Sequence, residues 1–283
     1  MISIVTPSFR QLDWLRLCVA SVGDQQGIQV EHIVQDGGTD GISAAALCLT
    51  APNRAYELRL YREKDEGMYD AINRGLLRAG GEICAYLNCD EQYLPGALSK
   101  VAAAFARNPR TNVLLAGSLV VNREGHYLCS RPALRPRLRE LRAGRMYNLS
   151  SSIFFRPRLF REENIFFDPS LRIVGDLDWL RRVIEVGAHV ETLDCFTSTF
   201  SDLGTNLALS EGAAAETDAA KGSPSPLHRL NSAAVMISHR VRRLLAGHYR
   251  QHPFSYAIYT LKEPEHRQTF RVEKATGVWR NRL

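Results

Sequence analysis

The sequence predicts an α/β protein with a mostly parallel central sheet that is covered by helices on both faces. Apolar, β-branched runs alternate with segments of helical periodicity from residue 2 to about residue 121. The connections between these segments are short, and several contain a proline or a pair of glycines. Alternating strands and helices with short turns are typical of a three-layer αβα sandwich.

The alternation begins at the N-terminus. Ile2 to Thr6 is an apolar strand that Pro7 ends, and the leucines and valines from Gln11 to Val22 recur at helical spacing. Pro95 stands at the first turn of a later helix. A backbone N–H at this position would have no hydrogen-bond partner within the helix, so proline is tolerated there. The other predicted elements are strands or β-rich segments at Glu31–Val34, Leu58–Tyr61, Ile83–Leu87, Val113–Val121 and His189–Phe200, and helices at Ile42–Leu49, Tyr69–Ala79, Pro95–Phe105 and Asp176–Val186.

The C-terminal region differs from the rest of the chain in charge. Residues 227–283 contain 11 lysine and arginine residues against 3 acidic ones, although the net charge of the whole chain is only +6. Residues 211–226 are small and polar and end in Pro and Ser, which is typical of a linker. We therefore predict a main domain at 1–210, a linker at 211–226 and a basic, mainly helical extension at 227–283. A basic tail on a near-neutral main domain argues against nucleic acid as a partner.

The extension contains an amphipathic pattern. Between Arg229 and Arg250, apolar residues follow one helical stripe and arginines lie on the far side. The stripe consists of Leu230, Ala234, Ile237, Val241, Leu244 and Leu245. Either this helix lies on an anionic membrane surface, or it packs its stripe on the main domain or on a second subunit. The small alanine and valine side chains favour packing.

A second arginine-rich segment lies inside the main domain. Residues 131–145 are dense in arginine and are interrupted by two prolines. We interpret them as a mobile loop or short helix over a pocket, and the alternative is a solvated surface.

Composition also bears on the compartment. The six cysteines are scattered without a Cys-x-x-Cys pair, so we expect reduced thiols, with neither zinc nor a disulfide framework. The N-terminus MISIVTPSF lacks the basic and long apolar regions of a signal peptide. No apolar run approaches the roughly 20 residues of a membrane span. We expect a cytoplasmic protein, with peripheral contact at the inner face of the membrane if the tail binds lipid.

Polar turns follow three of the predicted strands. Because the carboxyl ends of parallel strands meet at one edge of a sheet, these turns predict a nucleotide pocket there. The turns contain Asp36, Gly37, Lys64, Asp65, Gly67, Asn88, Asp90 and Glu91. Oxygen ligands after the fourth strand suit a hard cation such as Mn²⁺ or Mg²⁺. Such a cation could neutralise a diphosphate and help it to leave.

Five ordered segments carry a resemblance to a known family. They read ISIVTPSF, VQDGGTDG, REKDEGMYDAINRGL, YLNCDE and GDLDWLRRVIEVG. Through them the chain resembles bacterial family 2 glycosyltransferases of GT-A fold over about residues 1–210. The resemblance implies a nucleotide-sugar donor, a divalent cation, inversion at the anomeric carbon and a setting in surface polysaccharide or lipopolysaccharide assembly. Processive relatives carry a Gln-x-x-Arg-Trp motif and membrane spans. Neither is present in this sequence, so we expect a single transfer per encounter.

The resemblance also implies donor-site roles for individual residues. Thr6 and Pro7 would line the base pocket, and Asp36 would read the base or the ribose. Asp70 and Asn73 share one face of the following helix and would contact the donor. The donor-binding residues implied are Thr6, Pro7, Asp36, Gly37, Lys64, Asp65, Gly67, Asp70, Asn73, Asn88 and Asp90. The alternatives are structural, namely an Asx turn at Asp36 and a capping acid at Asp70.

Metal and catalytic roles follow from two further motifs. The family's Asp-x-Asp pattern falls on Asn88-Cys89-Asp90, so its first aspartate is replaced by asparagine. We expect Asp90 to bind the metal, assisted by the Asn88 carbonyl oxygen and by Glu91. In GDLDWL, Asp176 aligns with the family's catalytic base, and Asp178 is the second candidate. The alternative for either aspartate is a helix N-cap.

These features predict an inverting transferase that moves one sugar from a UDP-sugar to a saccharide or lipid-linked saccharide. A sugar nucleotidyltransferase would need a glycine-rich phosphate loop after the first strand, where this chain reads TPSFRQLDW. A non-catalytic nucleotide-sugar-binding scaffold is favoured only by the asparagine at position 88.

Overall fold

A nine-stranded sheet forms the centre of the molecule. The computed structural model describes residues 1–43, 47, 55–204, 216, 226–250 and 252–279, and for 226–232 it describes the backbone only. The strands of the sheet are β1 (Ile2–Ser8), β2 (Val30–Asp36), β3 (Tyr56–Arg62), β4 (Ile83–Tyr86), β5 (Gln92–Tyr93), β6 (Val113–Val121), β7 (Tyr127–Arg131), β8 (Ile153–Phe155) and β9 (Val190–Ser201).

The strand order is β3-β2-β1-β4-β8-β6-β9-β5, with β7 paired to β6. The block from β3 to β4 is parallel throughout, and β6 and β9 are also parallel. The short strand β8 runs antiparallel to both of its neighbours and joins the two blocks. The predicted α/β class with parallel pairing is therefore confirmed.

Helices cover both faces of the parallel block. The helices in the described part of the chain are α1 (Leu12–Gly23), α2 (Met68–Arg78), α3 (Ala97–Arg107), α4 (Leu138–Arg142), α5 (Arg158–Arg161), α6 (Gly175–Glu185) and α7 (Pro226–Leu245). One core cluster joins Val5 of the sheet to Ile72 of α2 and Trp179 of α6. The cluster on the other face joins Ile4 to Val22 of α1 and Val101 of α3. The helix predicted at 42–49 and the linker predicted at 211–226 lie largely outside the described residues.

A β-hairpin in the C-terminal region was not among the predicted elements. Its strands are β10 (Phe254–Ile258) and β11 (Gln268–Val272), which pair antiparallel. Tyr256 and Phe270 pack on Leu94 and Leu119 of the main domain. The strands are only five residues each and a long connection separates them, so the local sequence carries a weak signal.

Helix α7 is bound to the main domain by a buried polar contact. Arg242 Nη1 lies 2.8 Å from Glu140 Oε1 of α4, and the His239 ring stacks on Tyr147 with a centroid distance of 3.3 Å. Burial acts to raise the pKa of Glu140, but hydrogen bonds from His239, the Arg137 N–H and Arg242 outweigh it and lower the pKa to about 2. The helix is therefore anchored by charge as well as by packing.

The apolar stripe of α7 does not pack on the main domain. Val235 is buried together with His239 on the side of the helix that carries Arg242. The stripe residues Ile237, Val241, Leu244 and Leu245 are 63%, 48%, 64% and 82% exposed. The prediction that this stripe packs on the main domain is wrong, because the Glu140 contact selects the opposite face. Among the described residues, no helix is both long enough and apolar enough to cross the bilayer.

Replacing Arg242 by methionine should destabilise the protein, because it leaves the buried Glu140 carboxylate without its cation. We expect a loss of about 3 kcal/mol in the free energy of unfolding, measured by urea denaturation. Arg240→Met is the matched control, since Arg240 lies on the exposed side of the same helix. It should change the free energy by at most about 0.5 kcal/mol. Equal losses for the two variants would contradict the anchoring role of Arg242.

Candidate functional site

The predicted polar turns gather at the carboxyl edge of the parallel block. The Gly37 N–H donates to the Ser8 carbonyl oxygen at 2.9 Å, and the Glu63 N–H donates to that of Asp36 at 3.0 Å. These bonds join the ends of β1, β2 and β3, and the turn at 88–91 follows β4 on the same edge. The parallel register thus brings together residues that are far apart in sequence.

Asp36 forms an Asx turn at the end of β2. Its buried carboxylate accepts hydrogen bonds from the Gly38 N–H at 3.0 Å, the Thr39 N–H at 2.7 Å and the Thr39 hydroxyl at 2.5 Å. A Cβ atom at Gly37 would lie 2.6 Å from Asp65 Oδ2, so a larger residue there would require the Asp65 side chain to move. The Asx turn, which was the structural alternative for Asp36, is therefore observed. The predicted contact of Asp36 with a base or ribose stays a prediction.

Thr6 and Pro7 are both buried at the end of β1. The Thr6 hydroxyl lies 2.8 Å from His32 Nε2 and faces the interior. Burial lowers the pKa of His32 to about 3, so this histidine is neutral. The predicted place of Thr6 and Pro7 in a base pocket rests on their position at the sheet edge, not on the contact that Thr6 makes.

The loop after β3 is held by its own side chains. Asp65 accepts a hydrogen bond from the Gly67 N–H at 3.0 Å, and burial raises the pKa of its carboxyl group. Gly67 has a φ of +130°, and a side chain there would meet Arg172. Lys64 is exposed. The close approach to Arg172 and the left-handed backbone together explain the glycine.

Asp70 and Asn73 make structural contacts on α2. Asp70 accepts a hydrogen bond from the Glu66 N–H at 2.9 Å and forms a 2.8 Å ion pair with Arg74. The Asn73 amide donates to the Phe167 carbonyl oxygen at 2.8 Å and accepts from its N–H at 3.0 Å. The structure therefore gives both side chains a role in local architecture, and their predicted donor contacts stay predictions.

The turn after β4 presents oxygen atoms that suit a cation. The Asn88 N–H donates to Glu91 Oε2 at 2.9 Å, which orients the glutamate. Asn88 Oδ1 and Glu91 Oε1 are both buried and have no hydrogen-bond partner among the described residues. Buried oxygens without donors are costly unless a ligand contacts them. No group of three or more His, Cys, Asp or Glu side chains in the described part of the chain could hold a metal by itself.

Electrostatics also favour a cation at this turn. Burial raises the pKa of Asp90 to about 6. Burial and the charge of Asp90 raise the pKa of Glu91 well above its usual range. The Ser201 hydroxyl at the end of β9 donates to the Asp90 carbonyl oxygen at 2.6 Å and fixes the turn. Asp90, Glu91 and the side-chain oxygen of Asn88 are the kind of oxygen donors that Mn²⁺ and Mg²⁺ prefer, so the residues present fit such a cation.

Asp176 lies in the first turn of α6, close to this turn. The Tyr86 hydroxyl at the end of β4 donates to Asp176 Oδ1, and the Asp176 N–H donates to the Tyr69 hydroxyl at 3.3 Å. Burial raises the pKa of Asp176 to about 6. The negative charge of Asp176 also contributes to the raised pKa of Glu91, so the two carboxylates interact electrostatically. A carboxylate with a pKa near neutrality is suited to accept a proton.

Asp178 has a different environment. Its carboxylate forms ion pairs with Arg181 at 2.6 Å and with Arg182 at 2.8 Å. Both arginines follow on the same helix, so the pairs stabilise α6 itself. Both carboxylate oxygens of Asp178 are occupied by guanidinium groups of its own helix, so the structure favours Asp176 of the two predicted candidates.

Three contacts of the site were missed by the sequence analysis. Tyr86 and Tyr69 position Asp176, and Tyr86 could have been noticed as the last residue of an apolar strand that points to the site. Glu216 accepts hydrogen bonds from the N–H groups of residues 172–174 at 2.6 to 3.1 Å and so fixes the segment that leads into α6. No local pattern connects Glu216 to a helix that starts some forty residues earlier.

A cavity of about 760 Å³ lies elsewhere, between the β10–β11 hairpin, the end of α7 and β9. Phe196, Phe254 and Lys100 are among its lining residues. None of the predicted site residues lines it, so it is separate from the strand-end site.

The chain is similar to known proteins in both sequence and structure. The sequence profile of the family described as Glycosyl transferase family 2 matches residues 3–166, which is more than half of the chain. That range includes the strand-end turns and ends before Asp176.

Curated relatives are similar over part of their length. A PGL/p-HBAD biosynthesis glycosyltransferase of Mycobacterium bovis is 33% identical over 104 residues, which is 36% of this chain and 41% of that protein. An O-antigen biosynthesis protein of Myxococcus xanthus is 28% identical over 138 residues, which is 48% of this chain and 11% of that protein. The match thus spans about two fifths or less of these relatives.

Solved structures share the fold. Staphylococcus aureus TarS in complex with UDP has a TM-score of 0.56 at 14% identity, covering 88% of this chain and 75% of that one. The mannosyltransferase PcManGT from Pyrobaculum calidifontis, in complex with GDP-Man and Mn²⁺, has a TM-score of 0.55 at 15% identity, covering 85% and 75%. These likenesses support the GT-A fold.

Proposed function

Because the chain belongs to glycosyl transferase family 2, we propose that it moves one sugar from a nucleotide-sugar donor to a saccharide acceptor with inversion at the anomeric carbon. A UDP-sugar is the first donor to test, since the structurally similar TarS binds UDP and UDP-GlcNAc. GDP-Man, which PcManGT binds, is the second. The acceptor proposed is a free or lipid-linked saccharide of a surface polysaccharide.

The position of Asp176 carries this proposal. Inversion requires a base that removes the acceptor proton while the diphosphate departs from the opposite face of the sugar. Asp176 is half-buried, its pKa is raised to about 6, and Tyr86 holds it beside the 88–91 turn. It can therefore be ionised at neutral pH and still accept a proton from an acceptor hydroxyl.

Metal chemistry is proposed for the turn after β4. When bound, the cation would stabilise negative charge on the departing diphosphate. Asp90, Glu91 and the Asn88 carbonyl oxygen would hold it. The chain's own residues position these ligands, through the bond between Asn88 and Glu91 and through the Ser201 bond to Asp90.

A panel of nucleotide sugars tests the donor assignment. Thermal unfolding of the full chain is measured with UDP-, GDP- and TDP-linked sugars, each with and without Mn²⁺. We expect stabilisation by one nucleotide class, larger with Mn²⁺, and turnover of that donor with a saccharide acceptor. Stabilisation without turnover on any acceptor would favour a non-catalytic binding role.

Replacing Tyr86 by phenylalanine should shift the pH dependence of turnover. The Tyr86 hydrogen bond lowers the pKa of Asp176, so its removal should raise that pKa by about one unit. The acidic limb of the kcat profile should move to higher pH by the same amount, with little loss at alkaline pH. Tyr93→Phe is the matched control, because Tyr93 is also buried but its hydroxyl has no partner in the described structure. An unshifted limb in Tyr86→Phe would contradict the role of Asp176 as base.

A further inference from the structure

The exposed side of α7 forms a continuous apolar stripe. Ile237, Val241, Leu244 and Leu245 recur at helical spacing, and each is about half exposed or more. The buried side, with Val235 and His239, lies on the opposite face of the helix. Isolated exposed leucines are ordinary in proteins, but a contiguous stripe indicates an interaction surface.

Arginines border this stripe on both sides. Arg240 is exposed along one edge, on α7 itself, and the half-buried Arg243 lies between that edge and His239. On the other edge, Arg137 and Arg139 of the neighbouring segment donate hydrogen bonds to the Ser238 hydroxyl at 3.3 Å and 2.5 Å. Helix α7 contains no aspartate or glutamate. The surface is therefore apolar along its centre and positively charged along its margins.

The acid that α7 contacts does not weaken this charge pattern. Glu140 is 1% exposed, and its carboxylate is paired with Arg242 on the buried face. The arginines that face solvent thus keep their positive potential toward any partner that approaches the stripe.

We propose that this face of α7 binds the surface of a bilayer that contains anionic lipids. The apolar stripe would enter the boundary between headgroups and acyl chains, and the arginines on both margins would contact lipid phosphates. A second copy of this chain is a poorer occupant. Two-fold symmetry would bring the same arginine margins together, and like charges oppose that contact.

Two ion pairs connect α7 to the helix that carries the candidate base. Helix α7 is bound to Glu140 of α4, and Arg142 of α4 pairs with Glu185 at the end of α6 at 3.0 Å. Asp176 lies in the first turn of the same α6. Helix α7 is thus connected, through α4, to the C-terminal end of the helix that carries the candidate base. A role of membrane binding in reaching a lipid-linked acceptor rests on the proposed function, but the membrane inference itself does not.

Co-sedimentation of the full chain with vesicles tests the inference. One set of vesicles contains phosphatidylcholine only, and the other also contains phosphatidylglycerol. We expect binding to the anionic vesicles that exceeds binding to the neutral ones by at least ~10-fold and that weakens at high salt. Equal binding to the two sets, or no binding to either at low salt, would overturn the inference.

Two paired variants separate the apolar and the charged contributions. Leu244→Ser with Leu245→Ser removes the end of the stripe, and Arg240→Glu with Arg243→Glu reverses one margin. Each pair should weaken binding to anionic vesicles by at least ~10-fold. Unchanged binding in both pairs would overturn the assignment of this face.

Control substitutions lie outside α7. Leu77→Ser replaces a leucine that is 70% exposed on α2, and Arg107→Glu reverses an exposed charge at the end of α3. Both should bind vesicles like the unaltered chain. Circular dichroism shows whether each variant is folded, and nucleotide binding is measured separately, so failure of the membrane inference is distinct from failure of the proposed function. A dimer that Leu244→Ser with Leu245→Ser dissociates, without vesicle binding, would assign the stripe to a second copy and overturn the inference.

Discussion

Asp176→Asn should lower turnover by at least ~10²-fold while leaving donor binding nearly unchanged, the usual effect of losing a general base. Asparagine keeps the shape of the side chain and can still accept the Tyr86 hydrogen bond, but it cannot take the acceptor proton. Steady-state kinetics gives the loss in kcat, and thermal stabilisation by the nucleotide reports donor binding.

The same substitution should make the protein more stable at neutral pH. Burial raises the pKa of Asp176 from 3.8 to about 6, so the ionised carboxylate destabilises the folded state above pH 6. This cost is absent below the unfolded-state pKa and grows between about pH 4 and pH 6. We therefore expect Asp176→Asn to gain about 2 kcal/mol in unfolding free energy at pH 7 and nearly nothing at pH 4.

Asp178→Asn is the matched control two residues away. It breaks the ion pairs with Arg181 and Arg182, so a loss of about 1 kcal/mol in stability is expected. Its turnover should stay within about 3-fold of the unaltered enzyme, since no proton transfer depends on it. If Asp178→Asn shows the larger loss of turnover, the two roles must be exchanged.

Asp90→Ala should remove most turnover and the dependence on a divalent cation. A cation that stabilises a departing diphosphate contributes several kcal/mol, which corresponds to at least ~10²-fold in rate. Asp90 is half-buried and lies in a turn outside the apolar core, so folding should be unimpaired. Activity that survives unchanged in Asp90→Ala, or in EDTA, would refute the metal assignment.

Two further variants sharpen this test. Asp40→Ala removes an exposed acid that follows β2 and should leave turnover and Mn²⁺ dependence intact. Asn88→Asp restores the carboxylate of the family pattern and should lower the Mn²⁺ concentration needed for half-maximal turnover by about 10-fold. Without metal it adds a charge beside Asp90 and Glu91, so the unliganded protein should be less stable.

Local patterns in the sequence determined the strands and helices that alternate along the main domain. The first strand was predicted at Ile2–Thr6 and is observed at Ile2–Ser8, and the helix predicted at Asp176–Val186 is observed at Gly175–Glu185. Both signals depend on the spacing of apolar residues within one segment, which the sequence displays directly. The gathering of Asp36, Asp65 and Asp90 at one edge followed from parallel pairing alone.

Pairing between distant segments could not be derived in this way. Strand β8 has three residues, too few to show a period, yet it joins the two halves of the sheet. Asp176 and Tyr86 are ninety residues apart, and only the tertiary structure gives Asp176 the burial that raises its pKa and the Tyr86 hydrogen bond that orients it.

Helix α7 shows most clearly what the sequence determined and what only the tertiary structure decided. Its sequence determined that one face is apolar and that the other is basic. The tertiary structure decided which face packs, because the buried Glu140 on α4 attracts Arg242 and His239 from a hundred residues away. An unpaired charge in the interior costs more free energy than exposed leucine side chains do. The side of α7 that carries Arg242 and His239 therefore packs on the main domain, and the apolar stripe faces solvent.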